Sequence, residues 1–173
     1  MSTQRSFTIH KSKKSLVDKL MTARKSLVNN LDSTDHRLEE VAELDGIAFI
    51  NDSKATTILD TRDSMKCMTR PVIWIGCVTP HDRDYSLIEK YVKYKVKSIV
   101  LFGSGGDDIQ RQFEDRVERL VKVNNLYDAV AQARKLASAG DVILFSPSCA
   151  SFGLFANYVE RGNAFKKVVD QLA

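Results

Sequence analysis

Short apolar runs alternate with amphipathic segments along most of this chain, and that alternation predicts an α/β fold. The first two predicted strands, RLEEVAEL and IAFIN, flank an Asp45-Gly46 turn, which is a strong hairpin signal. The other predicted strands are residues 71–76, 97–102, a weaker 119–123 and 141–145. The predicted helices are residues 56–68, 86–94, 107–113 and 126–139, with two more between 150 and 172 that meet near Gly162. This order predicts a Rossmann-like, doubly wound and mostly parallel sheet that begins with a β-hairpin.

A separate amphipathic helix is predicted at the amino-terminal end, ahead of this alternation. Between residues 11 and 31, apolar residues recur at three- and four-residue spacing: Leu16, Leu20, Met21, Ala23, Leu27 and Leu31. The polar stretch NNLDSTDH that follows is typical of a linker. We therefore expect a basic helical extension and linker in residues 1–34, and one domain in residues 35–173.

The composition excludes several classes of protein. The 173 residues are 43% hydrophobic and 28% charged, as in a soluble globular domain. The sequence has neither a run of about 18 apolar residues nor the apolar core of a signal peptide, so no membrane span is expected and the predicted location is cytoplasmic. Cys67, Cys77 and Cys149 are widely spaced without a CxxC pair, which favours free thiols over a zinc site or a disulfide framework.

The net charge of +4 lies in the amino-terminal segment. Residues 1–36 contain seven Lys or Arg and three Asp, so this segment accounts for the whole excess. A basic helix can contact nucleic acid or a phosphorylated partner. Because no aromatic residue is interleaved with the basic ones in residues 11–31, a solvated helix face explains the charge better, and nucleic-acid binding is not expected.

Three polar segments follow predicted strands, each at a carboxyl end. They are NDSKAT, here the lysine segment (residues 51–56), GCVTPHDRDY, the histidine segment (76–85), and SPSCAS, the serine segment (146–151). Ligands of doubly wound sheets bind at the carboxyl ends of the strands. We therefore expect the three segments to line one cleft.

The lysine segment combines a turn with a cation. A turn explains Asn-Asp-Ser but does not require Lys54, which stands directly before a predicted helix whose expected N-cap is Thr56. A helix amino terminus already favours anions, so Lys54 beside it suits a phosphate or a carboxylate. A purely structural turn remains the alternative.

The serine segment offers small residues and three hydroxyl groups, those of Ser146, Ser148 and Ser151, ahead of another predicted helix. These groups are suited to holding a carboxylate. A nucleophilic serine is disfavoured, because no GxSxG motif occurs and His81 is the only histidine near the proposed cleft. Cys149 is interpreted as a buried thiol. GSGGDD (residues 103–108) is interpreted as a strand-to-helix turn, because it lacks a P-loop pattern.

Three stretches together resemble one family. HRLEEVAELDGIAFINDSKAT (36–56), DRDYS (82–86) and DVILFSPSCASFGLFANYVERGNAFKKVV (141–169) are similar to the C-terminal domain of the Mur ligases, nearest to the D-glutamate-adding branch of peptidoglycan synthesis. The resemblance runs from about residue 35 to the end. In that family, ATP phosphorylates a substrate carboxylate, and the amine of the incoming amino acid attacks the acyl phosphate. The C-terminal domain closes over the nucleotide and presents the amino acid.

The resemblance implies roles for individual residues. Nucleotide contacts fall on Arg37, Asp52 and Lys54, with ATP or ADP as the cofactor. D-Glutamate contacts fall on Thr56, Ser151, Phe152 and Tyr158, partly through backbone groups. The sequence also departs from the family: His81 replaces the usual carboxylate-binding lysine, Cys77 replaces a second glycine, and Thr57 replaces a common asparagine.

The resemblance also implies a limit on what these residues do alone. The P-loop ATPase domain, through which the family binds Mg²⁺, has no counterpart in the 173 residues, so neither ATP hydrolysis nor ligation is expected from them unaided. One hypothesis is a ligase domain that works with a separate ATPase and UDP-sugar-binding polypeptide. The alternatives are a ligand-binding or regulatory module that has lost ligation, and a structural interaction protein. The retained Arg37, Lys54 and serine segment count against the last alternative.

Overall fold

A computed structural model describes residues 35–79 and 83–172. The predicted amino-terminal helix lies outside the described residues, and the domain boundary at residue 35 stays a prediction. Within them the strands are β1 (Glu39–Leu44), β2 (Ile47–Asn51), β3 (Val72–Val78), β4 (Val96–Gly103), β5 (Arg119–Val123) and β6 (Val142–Phe145). The helices are α1 (Ile58–Cys67), α2 (Ser86–Lys95), α3 (Asp107–Phe113), α4 (Leu126–Leu136) and α5 (Tyr158–Asp170).

The strands form one sheet in the order β1-β2-β6-β3-β4-β5. β1 and β2 are antiparallel and are joined by Asp45 and Gly46, whose positive φ angles of 49° and 76° suit a tight hairpin turn. The other neighbouring pairs are parallel. The predicted doubly wound, mostly parallel sheet with an initial hairpin is therefore confirmed.

Alternating residues of the central strands pack into two separate cores. In β3, Ile73 and Ile75 belong to the first core, and Val72 and Trp74 belong to the second. Helices α4 and α5 cover the first core, whereas α1, α2 and α3 cover the second. Because both faces are covered, β3 and β6 are buried on both sides, which explains their continuous apolar sequences.

Helix α1 has Thr57 as its N-cap, not the predicted Thr56. Thr57 Oγ1 accepts a hydrogen bond from Asp60 N (3.1 Å), and Thr57 N donates to Asp60 Oδ2 (3.1 Å). This reciprocal capping arrangement needs an acidic or amide side chain three residues after the cap. A cap at Thr56 would place Leu59 at that position, so the helix begins one residue later.

The carboxyl-terminal segment contains one helix, and the prediction of two helices was wrong. Helix α5 runs through Gly162, and residues 152–157 form turns and bends that end at the N-cap Asn157. Glycine weakens a helix, but here it is required for packing. A Cβ at this position would lie 2.2 Å from His36 Nδ1. The serine segment is thus separated from α5 by residues 152–157 and does not lie at a helix amino terminus.

Candidate functional site

The three polar segments lie side by side at the carboxyl-end edge of the sheet. Their strands β2, β6 and β3 are consecutive, and the backbone pairing continues into the segments. Asp52 N donates to Phe145 O (2.8 Å), and Cys77 N donates to Pro147 O (3.1 Å). The predicted juxtaposition is therefore present in the described residues of the three segments.

The first residues of the lysine segment hold the chain ahead of the hairpin in place. Asn51 Nδ2 donates to His36 Nδ1 (2.8 Å) and to Glu39 Oε2 (3.0 Å). Asn51 Oδ1 accepts a hydrogen bond from Ser53 N (3.2 Å), as in an Asx turn. These contacts give Asn51 and Ser53 a structural role.

Asp52 is a buried carboxylate beneath the site. Its side chain is buried and accepts hydrogen bonds from Leu38 N (3.3 Å) and Ser146 Oγ (2.7 Å). Burial raises the pKa of Asp52 to about 6, although the hydrogen bonds act in the opposite direction. An ionised carboxylate at this position therefore lowers the stability of the fold near neutral pH.

Asp52→Asn is expected to stabilise the protein at neutral pH. Between about pH 4 and pH 6 the unfolded chain loses the Asp52 proton while the folded chain keeps it, so this group lowers stability as pH rises. Across this pH range, the free energy of unfolding of the variant should rise relative to that of the wild type by about 3 kcal/mol or less. Urea unfolding at several pH values measures the difference, with the exposed Asp115→Asn as control. If the difference in unfolding free energy between the variant and the wild type did not change with pH, the raised pKa of Asp52 would be contradicted.

Lys54 and Arg37 place two cations at one side of the site. Lys54 N donates to His36 O (2.9 Å), which brings the lysine segment beside the residues that precede β1. Arg37 is exposed and lowers the pKa of Asp52 through its charge, although burial has the larger effect. The half-buried Lys54 side chain has neither an ion pair nor a hydrogen bond with another residue that the structure describes. Its ammonium is therefore available to an anion.

The hydroxyl groups of the serine segment have different surroundings. Ser146 Oγ lies 2.7 Å from Asp52 Oδ2 and 2.9 Å from Thr61 Oγ1, inside a buried network. The Ser146 hydroxyl is therefore used in hydrogen bonds within the protein and is not available to a ligand. The expectation that all three hydroxyls could hold a carboxylate is wrong for this one. Ser148 has a φ of 57°, and its buried Oγ has no hydrogen-bond partner among the described residues. Ser151 is buried at the end of the segment.

The residues implied in D-glutamate binding lie around these two segments. Thr56 is half-buried at the end of the lysine segment, and Phe152 is 77% exposed directly after the serine segment. Tyr158 begins α5; its carbonyl oxygen accepts a hydrogen bond from Ser53 Oγ (2.8 Å). His81 lies outside the described residues, so its predicted role is neither supported nor opposed by the geometry.

Arg161 joins the lysine and serine segments and was missed in the sequence. It is fully buried on α5, and its guanidinium donates to Ser53 Oγ (3.1 Å), Ser53 O (2.8 Å) and Cys149 O (2.9 Å). Burial lowers the pKa of Arg161. The signal was present, because Arg161 shares the apolar face of α5 with Phe165 and Val169 at four-residue spacing.

Arg83 is a second cation that was not singled out in the sequence. Its Nη1 donates to Ser148 O (2.6 Å), and its Nη2 donates to Thr79 Oγ1 (3.0 Å). The contact with Ser148 links the histidine segment to the serine segment. No short motif marks such a residue, because its partner lies 65 positions away along the chain.

The histidine and serine segments each contain a buried thiol, Cys77 and Cys149 respectively. The pKa values of these two thiols depend on each other, and all three cysteines of the protein are free thiols. The contact with Cys149 and burial raise the pKa of Cys77, whereas the contact with Cys77 and the charge of Arg161 lower that of Cys149 to about 7. Cys149 is therefore a buried thiol, as predicted, in a strongly positive environment.

Two lysines of the basic groove at the opposite, amino-end edge of the sheet are used in contacts within the fold. Lys95 Nζ donates to Met68 O (2.8 Å) and to two further carbonyl groups at the end of α1. Lys97 Nζ pairs with Asp141 Oδ2 (3.0 Å). These lysines serve the fold, so the carboxyl-end edge is the better candidate site.

None of the helices described is long and apolar enough to cross a membrane. Across residues 35–79 and 83–172, no group of three or more His, Cys, Asp or Glu side chains is arranged to hold a metal ion.

Sequence comparisons identify the family. Residues 36–149 match the sequence model of the Mur ligase, glutamate ligase domain. The UDP-N-acetylmuramoylalanine–D-glutamate ligase of Porphyromonas gingivalis is 40% identical over 134 residues, which are 78% of this chain and 30% of that ligase. The ligase of the same name from Christiangramia forsetii is 34% identical over 162 residues, or 91% and 36% of the two chains. The chain spans about a third of the length of the curated relatives it matches.

Solved structures show the same fold. MurF ligase from Thermotoga maritima in complex with ADP has a TM-score of 0.51 at 12% identity, covering 91% of this chain and 38% of that one. UDP-N-acetylmuramate-alanine ligase MurC from the same organism has a TM-score of 0.52 at 14% identity, covering 89% and 36%. At these identities the likeness concerns the fold alone. The family match over residues 36–149, with relatives at 34 and 40% identity, shows that the chain belongs to the Mur ligase family as a glutamate ligase (C-terminal) domain.

Proposed function

We propose that residues 35–173 are the amino-acid-binding and nucleotide-closing domain of an ATP-dependent ligase that adds D-glutamate. One observation carries the proposal: the Lys54 ammonium, unpaired among the described residues, lies at the edge where the three polar segments meet. The P. gingivalis and C. forsetii relatives are both named as D-glutamate ligases, which favours the same amino acid here.

The nucleotide side of the proposed site consists of Arg37, Asp52 and Lys54. Lys54 N bonds to His36 O, so the backbone of Lys54 lies beside the residue that precedes Arg37, and cations at the end of a strand suit the phosphates of ATP or ADP. Asp52 supports the proposal in another way. Its ionised form lowers stability, and residues that cost stability are common at functional sites.

The amino-acid side consists of Thr56, Ser151, Phe152 and Tyr158, and His81 occupies the sequence position of the family's carboxylate-binding lysine. Hydroxyls and backbone amides near Arg83 and Arg161 are suited to holding carboxylates. Fixing the carboxylates of D-glutamate would leave its amine pointing at an acyl phosphate, and such positioning is a large part of catalysis in two-substrate reactions.

The proposal assigns the chemical step to sequence outside these 173 residues. No P-loop motif occurs within them, so phosphoryl transfer, Mg²⁺ binding and UDP-sugar binding would come from another domain or polypeptide. The purified chain alone is expected to lack ligase activity. Phosphate release that depends on both the UDP-sugar substrate and D-glutamate, in a preparation free of host ligase, would contradict this division of labour.

A second candidate function is a ligand-binding or regulatory module that has lost ligation. The replacements at Cys77 and His81 favour it, since both fall in the segment where the family binds a carboxylate. This alternative keeps the anion site and predicts binding without ligation even after the missing domains are supplied.

Lys54→Ala is expected to weaken ADP binding about tenfold, because one charge-assisted contact to a phosphate is lost. Calorimetric titration of the purified chain with ADP measures the effect. Lys66→Ala is the matched control, because this exposed lysine pairs with Asp63 (2.7 Å) on α1. Equal affinities of wild type and Lys54→Ala would remove Lys54 from the site.

A further inference from the structure

Arg83 is held rigidly between three parts of the domain. Its guanidinium donates to Ser148 O (2.6 Å) in the serine segment and to Thr79 Oγ1 (3.0 Å) just after β3. Its backbone N donates to Asp108 Oδ2 (3.1 Å) in the first turn of α3. Contacts of the backbone and of the guanidinium thus hold Arg83 at the carboxyl-end edge.

The charge of Arg83 is not neutralised by the described part of the chain. Asp108 uses its carboxylate for backbone N–H groups, those of Arg83 and Ile109. Asp84 is exposed and accepts a hydrogen bond from Ser86 N (2.8 Å). No ion pair joins the Arg83 guanidinium to a carboxylate of residues 35–79 or 83–172.

A second guanidinium reinforces the positive charge. Arg161 donates to Cys149 O (2.9 Å), the residue after the one that Arg83 contacts, and it also lacks a carboxylate partner among the described residues. The serine segment is therefore bound by two arginines through adjacent carbonyl groups. A partly exposed edge with this excess of positive charge favours an anionic ligand.

We infer that Arg83 anchors a carboxylate of the incoming amino acid, and that it does so in place of His81. A guanidinium has five N–H donors; Arg83 uses two on Ser148 and Thr79, and the other three have no partner among the residues that the structure describes. Such donors match a carboxylate in a planar, two-point contact. The inference rests on the proposed function, because it names the anchor of that same amino-acid site.

The two cations predict different pH behaviour. Arginine stays charged at all ordinary pH values, whereas a histidine loses most of its charge between about pH 6 and pH 8. An Arg83 anchor predicts that the wild type and His81→Gln show the same change in D-glutamate affinity across that range, including any change caused by Cys149, whose pKa of about 7 lies within it. An anchor at His81 predicts affinity that falls as pH rises.

The experiment is an NMR titration of the full ¹⁵N-labelled chain with D-glutamate, D-glutamine and D-isoglutamine, the last two of which each lack one carboxylate. Arg83→Gln is compared with the matched His81→Gln, at about pH 6 and about pH 8. We expect Arg83→Gln to weaken D-glutamate about tenfold and His81→Gln less than twofold. For the analogue that lacks the anchored carboxylate, Arg83→Gln should cause no loss of affinity. If Arg83 had only a structural role, the variant would weaken all three ligands.

The outcomes separate this inference from the proposed function. No D-glutamate binding by the wild type overturns both. Wild-type binding that Arg83→Gln leaves unchanged, or weakens equally for all three ligands, overturns the inference alone. If Arg83→Gln does not fold, Arg83→Lys keeps the charge without the planar fork, and a D-glutamate affinity equal to that of the wild type would overturn the two-point contact. ADP affinity reduced as much as D-glutamate affinity would assign Arg83 to a phosphate instead.

Discussion

Arg161→Met should lower the free energy of unfolding by about 3 kcal/mol, although it removes a buried charge that has no described acidic partner. The guanidinium is the hydrogen-bond donor to Ser53 O (2.8 Å) and Cys149 O (2.9 Å), and it is fully buried. Each buried carbonyl left without a donor costs about 1–3 kcal/mol. Because the variant no longer buries a charged group, which is itself unfavourable, part of this loss is offset.

Arg161→Met is also expected to disturb the geometry of the site. Arg161 is the shared donor between the lysine and serine segments, so the variant should lose the fixed distance between them. Urea unfolding measures the stability, and Arg134→Met is the matched control on α4, where Arg134 pairs with Asp45 at the surface. Exposed pairs contribute about 0–1 kcal/mol. Equal losses in the two variants would show that Arg161 does not hold the segments.

Gly162→Ala should destabilise the domain by about 2 kcal/mol, opposite to the usual effect in a helix, where alanine is favoured by about 1 kcal/mol. The added Cβ would lie 2.2 Å from His36 Nδ1 and 2.8 Å from His36 Cγ. His36 cannot easily move, since it is buried, has a φ of 64° and is bonded to Asn51 Nδ2 (2.8 Å). The substitution therefore forces the chain ahead of β1 away from α5.

A double-mutant cycle with His36→Ala isolates this clash. Without the imidazole the Cβ has room, so Gly162→Ala should become neutral or stabilising in the His36→Ala background. The expected coupling between the two positions is about 2–3 kcal/mol. Additive effects in urea unfolding would contradict the packing explanation and would indicate that Gly162 is needed for another reason.

The fold followed from the sequence because its signals are local. Continuous apolar runs mark the buried strands β3 and β6, and Asp45-Gly46 marks the hairpin. The same periodicity placed the lysine, histidine and serine segments at one edge. The polar segments therefore gave the location of the candidate site without any knowledge of the family.

The connections within the site did not follow, because they join residues far apart in sequence. Arg161 reaches Ser53 across 108 positions, and Arg83 reaches Ser148 across 65. Gly162 was misinterpreted for the same reason, since its small size serves a contact with His36. Local propensity treats a glycine as a break and an arginine as a surface residue, and tertiary packing reverses both.

An NMR titration of the wild-type chain with D-glutamate and, separately, with L-glutamate tests the proposed amino-acid site most directly. We expect D-glutamate to shift the backbone amide resonances of Thr56, Ser151 and Phe152, and L-glutamate to shift them at several-fold higher concentration or not at all. Equal responses to the two enantiomers, or no response at these residues, would contradict a D-glutamate site formed by this domain.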